Sequence, residues 1–475
     1  MSQAGSVVDV VVVGGGPSGL AAASALGNLD IVVLEAEDRL GGQLHSLARN
    51  DVWVNLGAHL LTGGQSAIKK LMADSGLDVI PIPGVKTALW FDKRLHVQGR
   101  VESYPFVLRL SWRERFDLMR FGLKLRLGVE WWRRQSRRLA GESSTMHADR
   151  LRRLWSGRTF SHIMKGIAPR VASIFETAAR RSAGEASRIT VGGAMALFGA
   201  LWVSEGSTSV VNVAGGSGRF GEVWAQRLGD RAITGAKVTS VKELGQHVEV
   251  TYRTGEGVEK TLQARNVVVA LPAPVAARVV VDLPDDVRDE LASVAYGAFV
   301  SMGVLTKPLP PMPWDDIYAI ATPDSAFDML FHHTNPVMDR PGSDHGPRSL
   351  MCYVGGDRAE EFLDLDDSEI RRRFLSQLVE ILPQTADAID EAVVTKWAYG
   401  NCYPVNGASM AGTELWNQRE NARVVLAGAY FAPLGGTLDA AVRSGLDSVK
   451  CLRGPVYNAS PTRSGTGSSG RDKER

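Results

Sequence analysis

Gly14, Gly16 and Gly19 of the run Gly14-Gly15-Gly16-Pro17-Ser18-Gly19, and a carboxylate at Glu35 about 20 residues after the first of them, are the residues whose types and spacing could do chemistry. Gly14 permits a tight turn. Gly16 lets backbone N–H groups approach a pyrophosphate with no Cβ in the way, and Gly19 lets a helix lie close to a strand. Pro17 and Ser18 belong to the same loop, where a helix N-terminus offers partial positive charge to phosphate. A carboxylate at Glu35 can accept hydrogen bonds from both hydroxyls of a ribose, and its charge repels a 2′-phosphate, which argues against NADP at this place.

The elements needed to hold these residues are legible on either side. Val7–Val13 (VVDVVVV) is a nearly continuous β-branched run, as expected of a parallel strand buried on both faces. Leu20–Leu26 (LAAASAL) predicts an alanine-rich helix that packs tightly, and Ile31–Leu34 (IVVL) a second strand ending at Glu35. A glycine loop alone is a weak signal. Strand, loop, helix, strand and acid in one unit of about 30 residues together predict a dinucleotide site.

The 475 residues exceed what one ordinary core needs, so two connected domains are expected. Hydrophobic residues make up 44% and charged residues 22%, the proportions of a soluble globular protein. With 54 Lys and Arg against 52 Asp and Glu, the overall charge says little about partners. Cys352, Cys402 and Cys451 are far apart and form no CxxC, so neither a metal site nor a disulfide framework is expected, and the thiols fit a cytoplasmic protein. No secretory signal is read before Val7, and no stretch reaches the roughly 20 apolar residues that span a bilayer. Gly192–Val203 (GGAMALFGALWV) is expected to be a buried helix.

Glu35-Ala36-Glu37-Asp38-Arg39-Leu40-Gly41-Gly42-Gln43 resembles the E-x-x-x-R-x-G-G-R signature of the flavin amine oxidase superfamily, which includes monoamine oxidases, protoporphyrinogen oxidases and phytoene desaturases. The resemblance implies non-covalently bound FAD, with Ala36, Arg39, Gly41, Gly42 and Gln43 beside it. It continues along the chain. Val54–Gly64 (VNLGAHLLTGG) is similar to the segment that lines the flavin, which places Gly57, Ala58 and His59 there. Val213–Gly221 (VAGGSGRFG) resembles the glycine-rich turn before the second nucleotide-binding stretch, and Val238–Val241 the strand whose backbone meets the adenine, at Val238. Val267–Pro272 (VVVALP) resembles a strand leading to a flavin-proximal loop. Val424–Gly428 and Gly435–Gly445 resemble the C-terminal flavin motif, with Gly428, Thr437 and Leu438 at the ribityl chain and pyrimidine end; a helix N-terminus there stabilises anionic reduced flavin.

The sequence also departs from that family. Gln43 stands where arginine is usual, Asn55 replaces a common aspartate and Ala429 replaces an acid. Ser301 falls at the position of a flavin-proximal lysine, Lys307 lies out of register, and Thr437 stands where an amine-binding aromatic is expected. Cys402-Tyr403 invites comparison with a covalent flavin attachment, but its spacing from Trp397 is shorter, so an inert cysteine is the better reading. These departures resemble the desaturating and protoporphyrinogen-oxidising members more than monoamine oxidases. His59 and Tyr403 are the candidate catalytic residues; a structural histidine and a packed tyrosine are the competing readings.

The fold class expected is α/β: a discontinuous Rossmann-type FAD-binding domain (1–85, 205–285 and 418–454) and an α+β substrate domain (86–204 and 286–417) with a helical insert. Pro308–Pro313 reads as a loop and Asp366–Leu382 as a helix covering the substrate sheet; 455–475 reads as a disordered tail. Arg109–Arg158 holds 14 Lys or Arg and 5 Asp or Glu, with Trp112, Phe116, Phe121, Trp131, Trp132 and Trp155 interleaved. A solvated face, peripheral contact with an anionic membrane, and attraction of an acidic partner are three readings of it. Nothing resembles a nucleic-acid module. The function expected is FAD-dependent dehydrogenation of a C–N or C–C bond in an apolar small molecule, with O2 as an electron acceptor. A flavin-dependent isomerase similar to sugar mutases and a catalytically silent partner protein are the alternatives.

Overall fold

The structure, a computed structural model, describes residues 7–452 apart from 28, 51, 83–85, 99–100, 204–209 and 339–344. The segment 455–475, expected to be disordered, lies outside the described residues, as does the expected boundary at 204–205.

The β-branched run forms the strand Val8–Val13, and it sits at the middle of a seven-stranded sheet. Ile31–Leu34 pairs with it in parallel on one side and Glu259–Val269 on the other. Val424–Leu426 then pairs in parallel with the end of Glu259–Val269. The register aligns Val13 with Leu34 and Val269, and Val269 with Leu426, so these parallel strands finish level. Lys237–Leu244 and His247–Arg253 extend the sheet as an antiparallel ribbon. Apolar side chains on both faces bury the strands: Val10, Val12, Leu20, Ile31 and Val425 on one side, Val11, Val13, Leu34, Val267 and Leu426 on the other. The sheet therefore gathers stretches far apart in sequence into one layer, and its level C-terminal edge is where open α/β sheets bind ligands.

A second seven-stranded sheet runs in the order Ile389–Cys402, Tyr296–Thr306, Ser349–Gly355, Met329–His332, Ile317–Ala321, Lys86–Phe91, Arg94–Gln98. Its pairings are antiparallel except between Ile317–Ala321 and Lys86–Phe91. One face is covered by helix Asp367–Ile381, whose Ile370, Phe374, Leu378 and Ile381 recur at helical spacing and pack against Val300, Met302, Leu350 and Cys352. The opposite face carries Tyr318, Phe331, Met351 and Tyr353. The prolines at 308–313 form the connection between two strands of this sheet, as expected.

The stretch after Gln98 is helical, including Trp112–Gln135, Ser144–Arg153, Pro169–Arg180 and Val191–Val203. Phe121, Phe160, Phe175 and Phe198 make its aromatic core, with the Phe121 and Phe175 rings 4.7 Å apart. Ser111 begins the longest helix with a capping box, its hydroxyl accepting from the Glu114 N–H while the Glu114 carboxylate accepts from the Ser111 N–H.

Candidate active site

The glycine loop closes onto the edge of the first sheet. Gly14 has φ +102°, a conformation that favours glycine, and its N–H donates to the Leu34 carbonyl at 2.8 Å. Helix Pro17–Leu26 starts immediately afterwards, with Pro at its first position. Gly19 shows why a side chain is excluded: a Cβ there would lie 1.9 Å from the Gly14 carbonyl oxygen. Gly16 is different. A Cβ on it would meet only the Gly42 Cα, at 4.0 Å, so the ground in front of this residue is open.

Glu35 closes the loop from the next strand. Its carboxylate accepts the Gly15 N–H at 2.6 Å and the Glu37 N–H at 3.0 Å. Burial pushes the carboxyl above its ordinary range, and the Glu37 and Gly15 N–H donors pull it back. Two acceptor positions remain, enough for a pair of hydroxyls. The Glu35 carbonyl accepts from Ala236 N–H at 2.7 Å and the Glu37 carbonyl from Gly235 N–H at 2.8 Å, while Ala36 is exposed. That ties the start of Lys237–Leu244 to the acid, and Val238, buried and beside a register shift, follows two residues on.

The second glycine pair approaches the first. The Gly41 N–H donates to the Gly15 carbonyl at 2.8 Å, and a Cβ on Gly42 would lie 3.0 Å from the Gly16 Cα. Arg39 fixes this turn by donating to the Gly42 carbonyl at 2.7 Å, with its guanidinium 5.9 Å from the Trp397 ring. Gln43 donates through its amide to the carbonyls of Tyr399 and Gly400, both at 2.7 Å. The side chain standing in the arginine position thus anchors the second sheet. The Gln43 carbonyl accepts the Ala58 N–H at 2.8 Å, and Gly57 lies so close that a Cβ would meet that oxygen at 2.1 Å.

Gly57–Leu61 therefore separates two environments. Ala58 packs with the first sheet's core, whereas Leu60 packs against Tyr318, Phe331 and Tyr353. His59 is buried on the latter side, its ring 4.8 Å from Phe331 and 4.4 Å from His333. Its Nδ1 lies 3.2 Å from the Gly57 carbonyl, while Nε2 and both ring nitrogens of His333 are buried without a partner. Burial lowers His59 to about 4 and His333 well below its ordinary range, so both are neutral at physiological pH. Tyr318 shares a hydrogen bond with Asn212.

The C-terminal segment reaches the same edge. The Gly428 N–H donates to Ser444 Oγ at 3.0 Å, and Gly445 brings helix Leu438–Val449 against the glycine-loop helix, where a Cβ would meet the Ser18 carbonyl at 2.1 Å. Exposed Thr437 caps that helix by accepting the Ala440 N–H at 3.1 Å; Leu438, its first residue, is half-buried.

Of the other expected residues, Ser301 lies against the Gly57 segment and Cys402 against the Gly435–Gly436 turn, where the Gly436 N–H donates to the Cys402 carbonyl at 2.8 Å. Ser301 donates to the Leu56 carbonyl at 2.5 Å, an oxygen that also accepts Trp397 Nε1 at 3.0 Å, and Lys307 is exposed beyond the strand end. Cys402 is buried, its thiol pushed up to about 12 by desolvation. Tyr403 packs into the helical core, with the Arg188 guanidinium 5.9 Å from its ring. His333, Phe331, Tyr318, Tyr353 and Asn212 escaped the sequence reading, and Trp397 entered it only as a spacing mark for Cys402. The adjacent pair His332-His333 was the one local signal for them.

Open ground before Gly16, a second glycine turn against it, an acid with spare acceptor positions and a helix N-terminus at Thr437 fit an adenine dinucleotide extended along the sheet edge. The fold and this cradle have the form of a dinucleotide-binding protein.

The family described as flavin containing amine oxidoreductase matches residues 17–452. Among curated proteins, amine oxidase [flavin-containing] B of Homo sapiens is 42% identical over 101 residues, which is 21% of this chain and 18% of that protein. Amine oxidase [flavin-containing] A of Sus scrofa is 35% identical over 108 residues, covering 22% and 19%. Among solved structures, putrescine oxidase bound to putrescine superposes with a TM-score of 0.68 at 17% identity over 93% of this chain and 98% of that one. Cyclohexylamine oxidase from Brevibacterium oxydans IH-35A gives 0.68 at 18% over the same shares. These two establish the likeness of fold. The chain belongs to the flavin-containing amine oxidoreductase family, and FAD is its cofactor.

Proposed function

We propose that this protein oxidises a C–N or C–C bond of an apolar organic substrate carrying a neutral or acidic group, with FAD held non-covalently between the Gly14–Gly19 loop, Glu35, Gly42 and the start of helix Leu438–Val449. One observation carries the reading: Gly57–Leu61 has the cradle on one side and the His59, Tyr318, Phe331 and Tyr353 layer on the other. When bound, FAD would take up a hydride (two electrons and one proton) from the substrate, the second hydrogen leaving as a proton to solvent. The chain's own contribution is position and dryness. The aromatic layer excludes water and holds an apolar substrate, and the neutral ring nitrogens of His59 and His333 can orient one polar group on it.

Charge narrows the substrate class. The Arg181 guanidinium bears on His59, Tyr318 and Tyr353 and hydrogen-bonds Tyr353. Asp328, the nearby buried carboxylate, is taken by Arg180 at 2.9 Å, Arg358 at 2.8 Å and the Gly355 N–H at 2.9 Å. A cation beside the aromatic layer disfavours an ammonium and favours an uncharged or anionic group. This supports substrates closer to those of desaturating and protoporphyrinogen-oxidising enzymes than to simple cationic amines, with O2 as acceptor.

The test is anaerobic mixing of the yellow protein with panels of apolar carboxylates, neutral heterocycles and primary amines. Flavin bleaching by the first two classes, with a product two hydrogens lighter and colour restored by O2, is expected. Bleaching by primary amines alone overturns the substrate class; a product isomeric with the substrate overturns the oxidation.

A further inference from the structure

We propose that helix Trp112–Gln135 docks this protein onto an anionic lipid bilayer, lying in the headgroup plane. The proposal rests on surface geometry and is independent of the redox reading.

The helix has two apolar faces. Leu118, Phe121, Leu125 and Val129 are buried in the core of the helical region. Trp112, Phe116, Met119, Leu123, Leu127 and Trp131 follow one another at spacings of three or four on a different face, and each is between 47% and 83% exposed. Isolated exposed apolar residues are ordinary, but a continuous row from Trp112 to Trp131, roughly 30 Å of helix, is not. Tryptophans stand near both ends of the row, and their amphipathic rings suit a membrane–water interface.

Charge identifies what covers the row. By helical spacing, Arg113, Arg120 and Lys124 flank it on one side and Arg115 and Arg126 on the other, while Arg133 is held by Glu130 and the Gly199 carbonyl, both at 3.0 Å. From Arg109 to Arg138 the chain carries 10 Lys or Arg against 3 Asp or Glu. Arg120 and Asp117 are 3.7 Å apart, as are Arg126 and Glu102, loose pairs whose arginines are exposed enough for a phosphate to take the place of the partner. Long basic side chains lay their stems along the apolar row and lift their charges to headgroup phosphates. A second copy of the chain packed row to row would bring like-charged flanks together, whereas a bilayer offers an apolar bed with negative charge at its rim. Among the described residues no helix is long and apolar enough to cross a membrane, so the helix lies on the surface.

Flotation of the full-length, flavin-loaded protein tests this, using vesicles of phosphatidylcholine alone and vesicles with about one-third phosphatidylglycerol. The protein should float with the anionic vesicles, and less so as salt rises. Leu123→Glu with Leu127→Glu should cut binding by about tenfold or more while flavin content and melting temperature hold. Arg113→Glu with Lys124→Glu should weaken binding and flatten its salt dependence. Equal partition to both vesicles, no flotation, or Glu variants that float like the parent overturns the proposal. So does sedimentation that shows self-association, abolished by the same variants, without vesicle binding.

Discussion

The rings of His59 and His333 meet edge to face with centroids 4.4 Å apart, in a place where neither can be protonated cheaply. His59 and His332 are each lowered to about 4 by burial and His333 lies lower, whereas unfolded histidine titrates near 6.5. The unfolded chain therefore binds more protons below about pH 6.5, so this stability is fully present above that pH and is lost as pH falls toward 4. A shift from 6.5 to about 4 corresponds to roughly 3 kcal/mol for His59. Melting temperature measured from pH 7 to 4.5 should fall, and His333→Phe should make the fall shallower. An unchanged slope in that variant removes the cluster as its source.

Glu35 holds the glycine loop, and in the proposed reading it also offers acceptors to a ribose. Glu35→Gln keeps the shape but loses the charged acceptor of the Gly15 and Glu37 N–H groups. Charge-assisted hydrogen bonds contribute about 1.5–3 kcal/mol, so affinity for FAD should drop roughly 10- to 100-fold by fluorescence titration of the apoprotein. Unchanged affinity would place the adenosine elsewhere.

Gly19 admits no side chain, because a Cβ would sit 1.9 Å from the Gly14 carbonyl oxygen. Gly19→Ala must push the helix off the loop, at a cost of about 1–3 kcal/mol or more, as for overpacking elsewhere. Thermal melting should show the loss, and purified variant should carry less flavin. Gly76→Ala is a poor control despite open space, since φ there is +74°; Gly122→Ala, helical and unobstructed, should raise stability by about 0.5–1 kcal/mol rather than lower it.

Cys402 is buried with its thiol raised to about 12, so almost none of it is thiolate, the form that bonds covalently. Acid precipitation should release all the yellow colour, and Cys402→Ser should bind flavin like the parent. Colour kept in the acid pellet and lost in the serine variant would reverse the reading.

The glycine loop and its flanking elements were legible because they are local. A β-branched run, three glycines, an alanine helix and an acid specify a turn and its flanking strands within about 30 residues. Gln43 shows where such reading stops. In sequence it is only a departure from the usual arginine, whereas its amide reaches Tyr399 and Gly400, partners more than 300 positions away that nothing near it announces. The same holds for His59, visible in its motif but explained by Phe331 and His333.

By itself the sequence determined the glycine cradle, the order of strands and helices around it and the basic character of the helical region, since backbone preferences and apolar periodicity act between near neighbours. Tertiary structure alone decided that Tyr318, Phe331 and Tyr353 share one layer, that Tyr403 packs among helices, and that the row from Trp112 to Trp131 faces outward. Two apolar faces on one helix look alike in sequence, and only the packing of distant elements buries one and leaves the other to solvent.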